Sequence, residues 1–360
     1  MLSENPKGRN DSMHLKRHII LLVALTILPA SPISLLTSPN AEAAQTKQSL
    51  GTLKSKKIVK VKKKILPSRK YSKKSAKKSS NVVQAARFSA LVVDASNGHI
   101  LYEKNANGSR YPASLTKMMT LYLTFDALKK GKLKMSDTLA VSEKAASQPQ
   151  TNISLDAGDR LPVKTAIESL IVRSANDSSV VLAEALGGST WNFALLMTQK
   201  ARALGMKDTT FRNPNGLPDD QQVTTAYDMA RLGIALRRDF PQYFPMFKIQ
   251  SFSYDGVTYP GHNRVMARYA GADGIKTGYI RASGFNLVTS VRKDGYNLVA
   301  VIMGGSSSTA RDNAMINMLD RTFAQLESKQ KVLSQNQVIM PTNDNSDNIE
   351  TASLSRSLSH

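Results

Sequence analysis

Ser114-Leu-Thr-Lys-Met-Met-Thr-Leu-Tyr-Leu-Thr-Phe-Asp-Ala-Leu128 is apolar on nearly all sides and ends shortly before Gly131, a typical helix stop. The pattern predicts a helix over residues 115–128, and a helix that is apolar all round lies buried in the middle of a domain. Ser114 stands at its head, where unpaired backbone N–H groups and the helix dipole favour negative charge. Lys117 follows one turn later on the same face.

Strand signals flank this helix on both sides. Residues 88–94 are β-rich, and an Asn97-Gly98 turn leads into residues 99–103, which predicts a hairpin. A second hairpin is predicted over residues 285–303. Strands at both ends with helices between them indicate an α/β fold, with an antiparallel sheet assembled from the two ends and flanked by helices. The other predicted helices cover residues 163–172, 177–186, 190–204, 225–237 and 308–326.

The formal net charge of the 360-residue chain is +22, and most of it lies in one segment. Residues 47–80 hold 13 Lys and one Arg with no Asp or Glu, which gives +14. We expect residues 45–84 to be a disordered Lys/Ser-rich linker, because so few apolar residues cannot bury a core. In an exported chain, the linker would meet an anionic wall polymer or a membrane surface rather than nucleic acid. A plain solvated tether is an equal alternative.

The N-terminus has the pattern of a secretory signal. A basic Lys16-Arg-His18 precedes an apolar run over residues 19–28, which is shorter than the about 20 residues of a spanning helix. Ala41-Glu-Ala-Ala44 offers a cleavage site. We therefore expect a signal peptide over residues 1–44, with an uncleaved anchor as the alternative, and an exported protein that is periplasmic or associated with the cell envelope. The folded domain is expected over residues 85–327, followed by a disordered polar tail over residues 328–360.

Three short motifs occur in order inside the expected domain: Ser114-Leu-Thr-Lys117, Ser174-Ala-Asn176 and Lys276-Thr-Gly278, the last expected to lead into a strand. A serine hydroxyl needs an adjacent base to act as a nucleophile. A neutral lysine can be that base if burial and a nearby cation lower its pKa, and Lys276 is a candidate for the cation. Taken alone, the first motif has another interpretation, in which Ser114 caps the helix and Lys117 is a surface lysine.

The three motifs resemble those of penicillin-binding proteins and serine β-lactamases. Their surroundings look most like the D-alanyl-D-alanine carboxypeptidase family of low-molecular-mass penicillin-binding proteins, over roughly residues 85–327. This resemblance implies that family's fold, in which a mainly helical subdomain accompanies the sheet. The segments that carry it are Tyr111-Pro-Ala-Ser-Leu-Thr-Lys-Met118, Ser174-Ala-Asn-Asp177, Phe211-Arg-Asn-Pro-Asn-Gly-Leu-Pro218 and Asp273-Gly-Ile-Lys-Thr-Gly278.

The resemblance also implies a catalytic role for particular residues. Ser114 is the acylated nucleophile, and Lys117 is its general base. Ser174 relays a proton towards the leaving amine. The backbone N–H groups of Ser114 and Tyr279 form the oxyanion hole.

Substrate binding is implied for a second group of residues. Asn176 holds the substrate amide, while Lys276 and Thr277 receive the terminal carboxylate of the substrate. Gly278 lets the substrate backbone approach the strand closely. Arg281 has two equal interpretations, an additional carboxylate contact or a rim charge.

The implied activity is that of a serine-type D-Ala-D-Ala carboxypeptidase, which trims peptidoglycan stem peptides and is inhibited by penicillin and other β-lactams. A D,D-endopeptidase that cleaves cross-links stays open as an alternative. A β-lactamase is disfavoured, because Glu184 is the only glutamate between Ser174 and Lys276 and lacks the Glu-x-x-Leu-Asn context of that class. A non-catalytic wall-binding protein is disfavoured by the intact motifs.

Other residues have simpler interpretations. The five histidines show no metal-ligand spacing, and no metal or cofactor is expected. His262 is interpreted as a hydrogen-bonded structural histidine, and Trp191 as a core anchor of its helix. The absence of cysteine rules out disulfides.

Overall fold

A computed structural model describes residues 88–339 of the chain. The predicted signal peptide, the Lys/Ser-rich linker and residues 340–360 of the predicted tail lie outside the described residues. The helices, in chain order, are α1 Lys117–Lys129, α2 Glu143–Ala146, α3 Val163–Val172, α4 Asn176–Gly187, α5 Thr190–Ala203, α6 Ala226–Asp239, α7 Val265–Arg268 and α8 Ser308–Ile339. The strands, in chain order, are β1 Ser89–Asp94, β2 Ile100–Lys104, β3 Thr138–Ala140, β4 Arg160–Pro162, β5 Ser251–Tyr254, β6 Val257–Pro260, β7 Ala272–Ile280, β8 Gly284–Lys293 and β9 Tyr296–Gly305.

The main sheet is antiparallel and has the strand order β2-β1-β9-β8-β7. Both predicted hairpins are confirmed, because β1 pairs with β2 and β8 pairs with β9. The pairing of β1 with β9 joins the two ends of the domain, as the sequence analysis expects. The hairpins β3–β4 and β5–β6 were not predicted from the sequence.

Helices cover both faces of the sheet because its central strands are apolar on both faces. On one face, Leu287 and Ile302 belong to the same core cluster as Leu319 of α8. On the other face, Val299 packs against α6, where a Cβ added to Gly233 would lie 3.1 Å from a Val299 methyl group. The sheet therefore forms the middle layer between α6 and α8.

A mainly helical subdomain lies between β2 and β7 in the sequence, as the family resemblance implies. Its centre is α1, whose side chains Met118, Leu121 and Phe125 are completely buried. The buried central helix is therefore confirmed, although a 3₁₀ turn over Ala113–Thr116 precedes it and contains Ser114. The predicted helix over residues 163–172 agrees with α3, and the ends of α4, α5 and α6 differ from the predictions by at most two residues.

The prediction of a disordered tail from residue 328 is wrong for residues 328–339. Helix α8 continues to Ile339, and the residues described beyond its contact with the sheet are exposed. The physical reason is local: residues 328–339 are rich in Gln, Lys and aliphatic side chains and contain no Gly or Pro before Pro341. Good helix formers extend an existing helix even where no core lies beneath them.

The interpretation of Trp191 as a core anchor is also wrong, because 59% of its side-chain surface is exposed. Helix α5 buries Phe193, Ala194, Met197 and Ala201, which follow the 3.6-residue period of one face. Trp191 precedes Phe193 by two residues and therefore lies on another face of the helix.

No single helix among the described residues is long and apolar enough to cross a membrane. Helices α4 and α5 pass that test only as a pair, bent by 81° at the break between them.

Leu319 and Leu333 of α8 provide a matched test of where the core ends. Leu319 is completely buried, whereas 65% of Leu333 is exposed. We expect Leu319→Ala to lower the free energy of unfolding by about 2–5 kcal/mol, because it removes buried methyl groups and leaves a cavity. Leu333→Ala should change it by no more than about 0.5 kcal/mol. Urea denaturation of both variants measures the difference, and equal losses would contradict this boundary of the core.

Candidate active site

Ser114 lies in a 3₁₀ turn that two glycines approach closely. Ala113, just before it, has a left-handed backbone with φ of +50°. A Cβ on Gly216 would lie 2.0 Å from the Ala113 carbonyl oxygen, and one on Gly278 would lie 3.0 Å from the Ser114 nitrogen. Neither the turn nor α1 has a side-chain cap, so the interpretation of Ser114 as a helix cap is wrong.

The Lys117 side chain is completely buried at 0% exposure, so the interpretation as a surface lysine is also wrong. Its Nζ donates to Asn176 Oδ1 at 2.7 Å and to the Asn215 carbonyl oxygen at 2.6 Å. The Lys117 Nζ also lies 3.4 Å from Ser114 Oγ. Asn176 Nδ2 donates to the Pro149 carbonyl at 2.8 Å, which holds the Asn176 oxygen towards Lys117.

The second motif is held by its neighbours in a strained conformation. Ser174 has φ of +64°, a region that non-glycine residues enter only when the surrounding structure enforces it. Thr151 Oγ1 donates to the Ser174 carbonyl at 2.9 Å, and the Asn176 backbone N–H donates to the Thr151 carbonyl at 2.7 Å. The buried Ser174 Oγ has no hydrogen-bond partner within residues 88–339. This hydroxyl is therefore available to a ligand.

The third motif lies inside β7 and does not precede a strand, which corrects the expectation from the sequence. Strand β7 stands at the edge of the five-stranded sheet. Thr277 and Tyr279 are two residues apart and both line the cleft described below. The ring of Tyr279 packs on Phe285, with 4.3 Å between the ring centroids.

The two lysines of the motifs have perturbed acidities. Burial lowers the pKa of Lys117 well below its ordinary value, the positive charge of Lys276 lowers it further, and Asp177 acts in the opposite direction. Burial, followed by the nearby charge of Arg311, lowers the pKa of Lys276 to about 7. The suggestion that Lys276 is the cation that lowers the pKa of Lys117 thus agrees with the electrostatics of the site.

A cleft of about 590 Å³ brings the three motifs together. Six of the eight predicted site residues line it: Ser114, Ser174, Asn176, Thr277, Gly278 and Tyr279. The other two, Lys117 and Lys276, are buried at 0% and 1% exposure. The structure therefore brings a serine hydroxyl, a buried amine and an edge strand to one cavity.

Several residues that build this site were not predicted from the sequence. Arg311 and Arg264 line the cleft, and both pair with the buried Asp312. Asn286 donates to the carbonyls of Tyr111 and Pro112, so it ties β8 to the turn that holds Ser114. No short motif marks these residues, because their roles depend on distant parts of the chain meeting.

The structure also places the other residues that the sequence singled out. Arg281 is exposed and does not line the cleft, which favours the interpretation as a rim charge. His262 lines the cleft, and partial burial followed by the charge of Lys276 lowers its pKa. Glu184 lies outside the cleft lining and accepts a hydrogen bond from Ser142 at 2.7 Å. No Asp or Glu of the described residues lines the cleft, and within residues 88–339 no cluster of His, Asp and Glu could hold a metal ion.

Comparison with known protein families gives a match over most of this domain. Residues 72–307 match the family of D-alanyl-D-alanine carboxypeptidases, peptidase family S11. D-alanyl-D-alanine carboxypeptidase DacF of Bacillus subtilis is 35% identical over 272 residues, covering 72% of this chain and 67% of its own length. The chain spans about two thirds or less of the length of the other carboxypeptidases that it matches.

Solved structures agree with this match. Penicillin-binding protein 5 of Haemophilus influenzae superposes with a TM-score of 0.64 at 32% identity, over 66% of this chain and 70% of that one. A D-alanyl-D-alanine endopeptidase of Pseudomonas aeruginosa is similar over a shorter stretch, 31% identical over 156 residues, which is 43% of this chain and 49% of its own length.

Gly216 provides a test of how the turn around Ser114 is held. We expect Gly216→Ala to lower the free energy of unfolding by more than about 1 kcal/mol and to reduce acylation by a β-lactam. The new Cβ is strained at φ of +88° and also displaces the Ala113 carbonyl. Urea denaturation and the acylation rate measure the two effects.

Gly131 is the matched control, because it has φ of +67° with no atom within 4 Å of an added Cβ. Gly131→Ala shares the backbone strain without the collision, so it should lower stability less and leave acylation unchanged. Equal effects of the two variants on acylation would show that the close approach of Gly216 is not what positions Ser114.

Proposed function

Because the chain belongs to the D-alanyl-D-alanine carboxypeptidase family of serine peptidases, we propose that it removes the terminal D-alanine from peptidoglycan stem peptides and is acylated by β-lactams at Ser114. The observation that carries this proposal is the buried Lys117 amine, 3.4 Å from the Ser114 hydroxyl at the wall of the cleft. The cleft is lined by Arg264 and Arg311 and, within residues 88–339, by no Asp or Glu, which further suits a substrate that ends in a carboxylate.

Lys117 acts as the general base in this mechanism. A neutral amine has two N–H donors and one lone pair, and the acceptors at Asn176 and Asn215 take both donors. The lone pair then remains for the Ser114 hydroxyl. Burial provides the neutral form by lowering the pKa of Lys117.

Acylation begins when Ser114 Oγ attacks the carbonyl carbon of the penultimate D-alanine and gives its proton to Lys117. The backbone N–H groups of Ser114 and Tyr279 stabilise the negative charge that develops on the carbonyl oxygen. The peptide C–N bond then breaks, and Ser174, whose hydroxyl has no partner within residues 88–339, gives its proton to the departing amine and takes the proton from Lys117, which leaves Lys117 neutral again. In the second half of the reaction, a water molecule gives a proton to the neutral Lys117 and attacks the acyl carbon. The ester bond to Ser114 Oγ breaks, and Lys117 returns the proton to that oxygen.

Recognition of the substrate rests on β7 and the cations behind it. As an edge strand of the sheet described within residues 88–339, β7 offers backbone groups to an extended peptide. The missing side chain of Gly278 lets the Ser114 turn lie close against this strand. Lys276 and Thr277 receive the terminal carboxylate, and Asn176 holds the amide. The remote Glu184 has no access to the acyl bond, which is consistent with slow hydrolysis of β-lactams.

Our proposals for the location and further partners of the protein rest on the sequence alone. We propose that residues 1–44 direct export, that the catalytic domain begins near residue 85, and that the protein works in the periplasm or at the cell envelope. The +14 charge of residues 47–80 would attach the chain to an anionic wall polymer or a membrane surface.

Intact-mass spectrometry with benzylpenicillin tests the proposed nucleophile. We expect one adduct on the full chain and none on Ser114→Ala. Lys117→Arg should slow acylation by about 100-fold or more, because a guanidinium stays protonated and cannot act as a base. An adduct that maps to another serine, or unchanged acylation of Lys117→Arg, would contradict the assignment.

The same preparations separate carboxypeptidase from endopeptidase activity. Release of D-alanine from an uncross-linked pentapeptide supports the proposed reaction. Cleavage of cross-linked dimers without that release would identify a D,D-endopeptidase instead. Ser114→Ala is the control for both substrates.

Lys276 should give the activity a descending limb at high pH. Its pKa of about 7 means that its charge, which the substrate carboxylate needs, is lost as the pH rises through that value. Arg311→Gln removes a neighbouring positive charge and should therefore move this limb of kcat/KM to higher pH. Arg311→Lys keeps the charge and should leave the limb in place. If the descending limb stays in place in Arg311→Gln, the titration of Lys276 is not its cause.

A further inference from the structure

Helix α5 exposes a group of large apolar side chains. Trp191 is 59% exposed, Leu195 is 50% exposed and Leu196 is 40% exposed. Successive residues of a helix are turned by about 100°, so these three side chains share one side of α5, opposite the buried Phe193 and Met197. We refer to Trp191, Leu195 and Leu196 as the α5 patch.

The charged residues of α5 itself are both positive. Helix α5 contains no Asp or Glu, and its last turn carries Lys200 and Arg202. At its first turn, Lys144 of α2 donates a hydrogen bond to Thr190. The exposed Glu143 lies beside Lys144 and is the acidic residue of the first turn of α2. Apolar side chains with basic residues at both ends of the helix are typical of a surface that lies on anionic lipid.

The size of the α5 patch argues against a stable protein partner. A standard protein interface buries about 800 Å² on each side, whereas even one completely buried aromatic side chain accounts for at most about 250 Å². Three partly exposed side chains therefore fall well short of what a stable dimer needs. Binding at a lipid surface needs less apolar area, because a weak apolar contact adds to a second, electrostatic contact.

Tryptophan is also the aromatic residue best suited to a bilayer surface. Its ring prefers the headgroup region, where the apolar body and the polar N–H are both satisfied. We propose that the α5 patch docks the catalytic domain on an anionic lipid surface, with the helix lying along that surface. This contact is separate from the proposed linker contact, since it involves different residues and a different interaction, and it does not depend on the catalytic assignment.

Trp191 is the only tryptophan of the chain, so its fluorescence reports on the patch directly. The experiment mixes the full chain with vesicles of phosphatidylcholine, with or without phosphatidylglycerol, and records emission and co-sedimentation. With phosphatidylglycerol present, we expect the emission of Trp191 to shift to shorter wavelength and to become protected from acrylamide quenching. Phosphatidylcholine vesicles should give a much smaller effect.

Leu195→Glu keeps the reporter and places a negative charge in the α5 patch. It should abolish the emission shift and lower the vesicle partition coefficient by about tenfold at physiological salt. Val257→Glu is the matched control, because Val257 is 49% exposed on the β5–β6 hairpin, away from α5. It should leave both readouts unchanged, and acylation by benzylpenicillin should be normal in both variants.

Three results would overturn the proposal. Co-sedimentation with anionic vesicles without an emission shift would show that the linker alone binds lipid. A shift that needs no vesicles and grows with protein concentration would show that a second copy covers the patch. Equal loss of the shift in Leu195→Glu and Val257→Glu would show that added negative charge anywhere, and not the patch, controls binding.

Discussion

The burial of one lysine constrains most of this structure. Lys117 is completely enclosed, and an enclosed amine must find hydrogen-bond acceptors or lose its charge, since an unpaired buried charge is very costly. Its acceptors are Asn176 and Asn215, 59 and 98 residues away in sequence. The helical subdomain must therefore place α4 and the loop before α6 against the first turn of α1 before the site exists. Ser114 is close to the amine because it precedes the same turn, so the fold that satisfies Lys117 also positions the proposed nucleophile.

Two residues of the site have strained backbones, and contacts from other parts of the chain maintain them. Ala113 and Ser174 both have left-handed backbones, a conformation that costs a non-glycine residue of order 1–3 kcal/mol. Each is fixed by contacts from another part of the chain: Gly216 lies against Ala113, and Thr151 bonds the Ser174 carbonyl. Asn286 adds a connection from the sheet to the turn before Ser114. These backbone conformations cost free energy locally, and they persist because the surrounding contacts fix them.

The sequence predicts those features that depend on local patterns. The β-rich segments, the Asn97-Gly98 turn and the continuous apolar run of α1 are local signals, and they locate both hairpins and the central helix. Prediction from the sequence fails where the environment of a residue depends on which other elements pack against its helix or strand. Trp191 is a large apolar residue of the kind that cores often contain, yet other side chains form the buried face of α5. Arg311 belongs to no motif, and only the packing of α8 on the sheet brings it to the cleft.

Lys117 and Lys276 are both buried, and their protonation states depend on each other. Two positive charges in a poorly solvated site repel, so the pair favours one proton rather than two. Burial lowers the pKa of both lysines, and the charge of Lys276 lowers the pKa of Lys117 further. In the proposed mechanism, the substrate carboxylate lies beside Lys276 and stabilises its charged form. The proton is then held on Lys276, and Lys117 remains neutral when Ser114 needs a base.

By thermodynamic reciprocity, a neutral Lys117 also favours binding of the carboxylate. Substrate recognition and activation of the nucleophile are thus linked through the same buried charge.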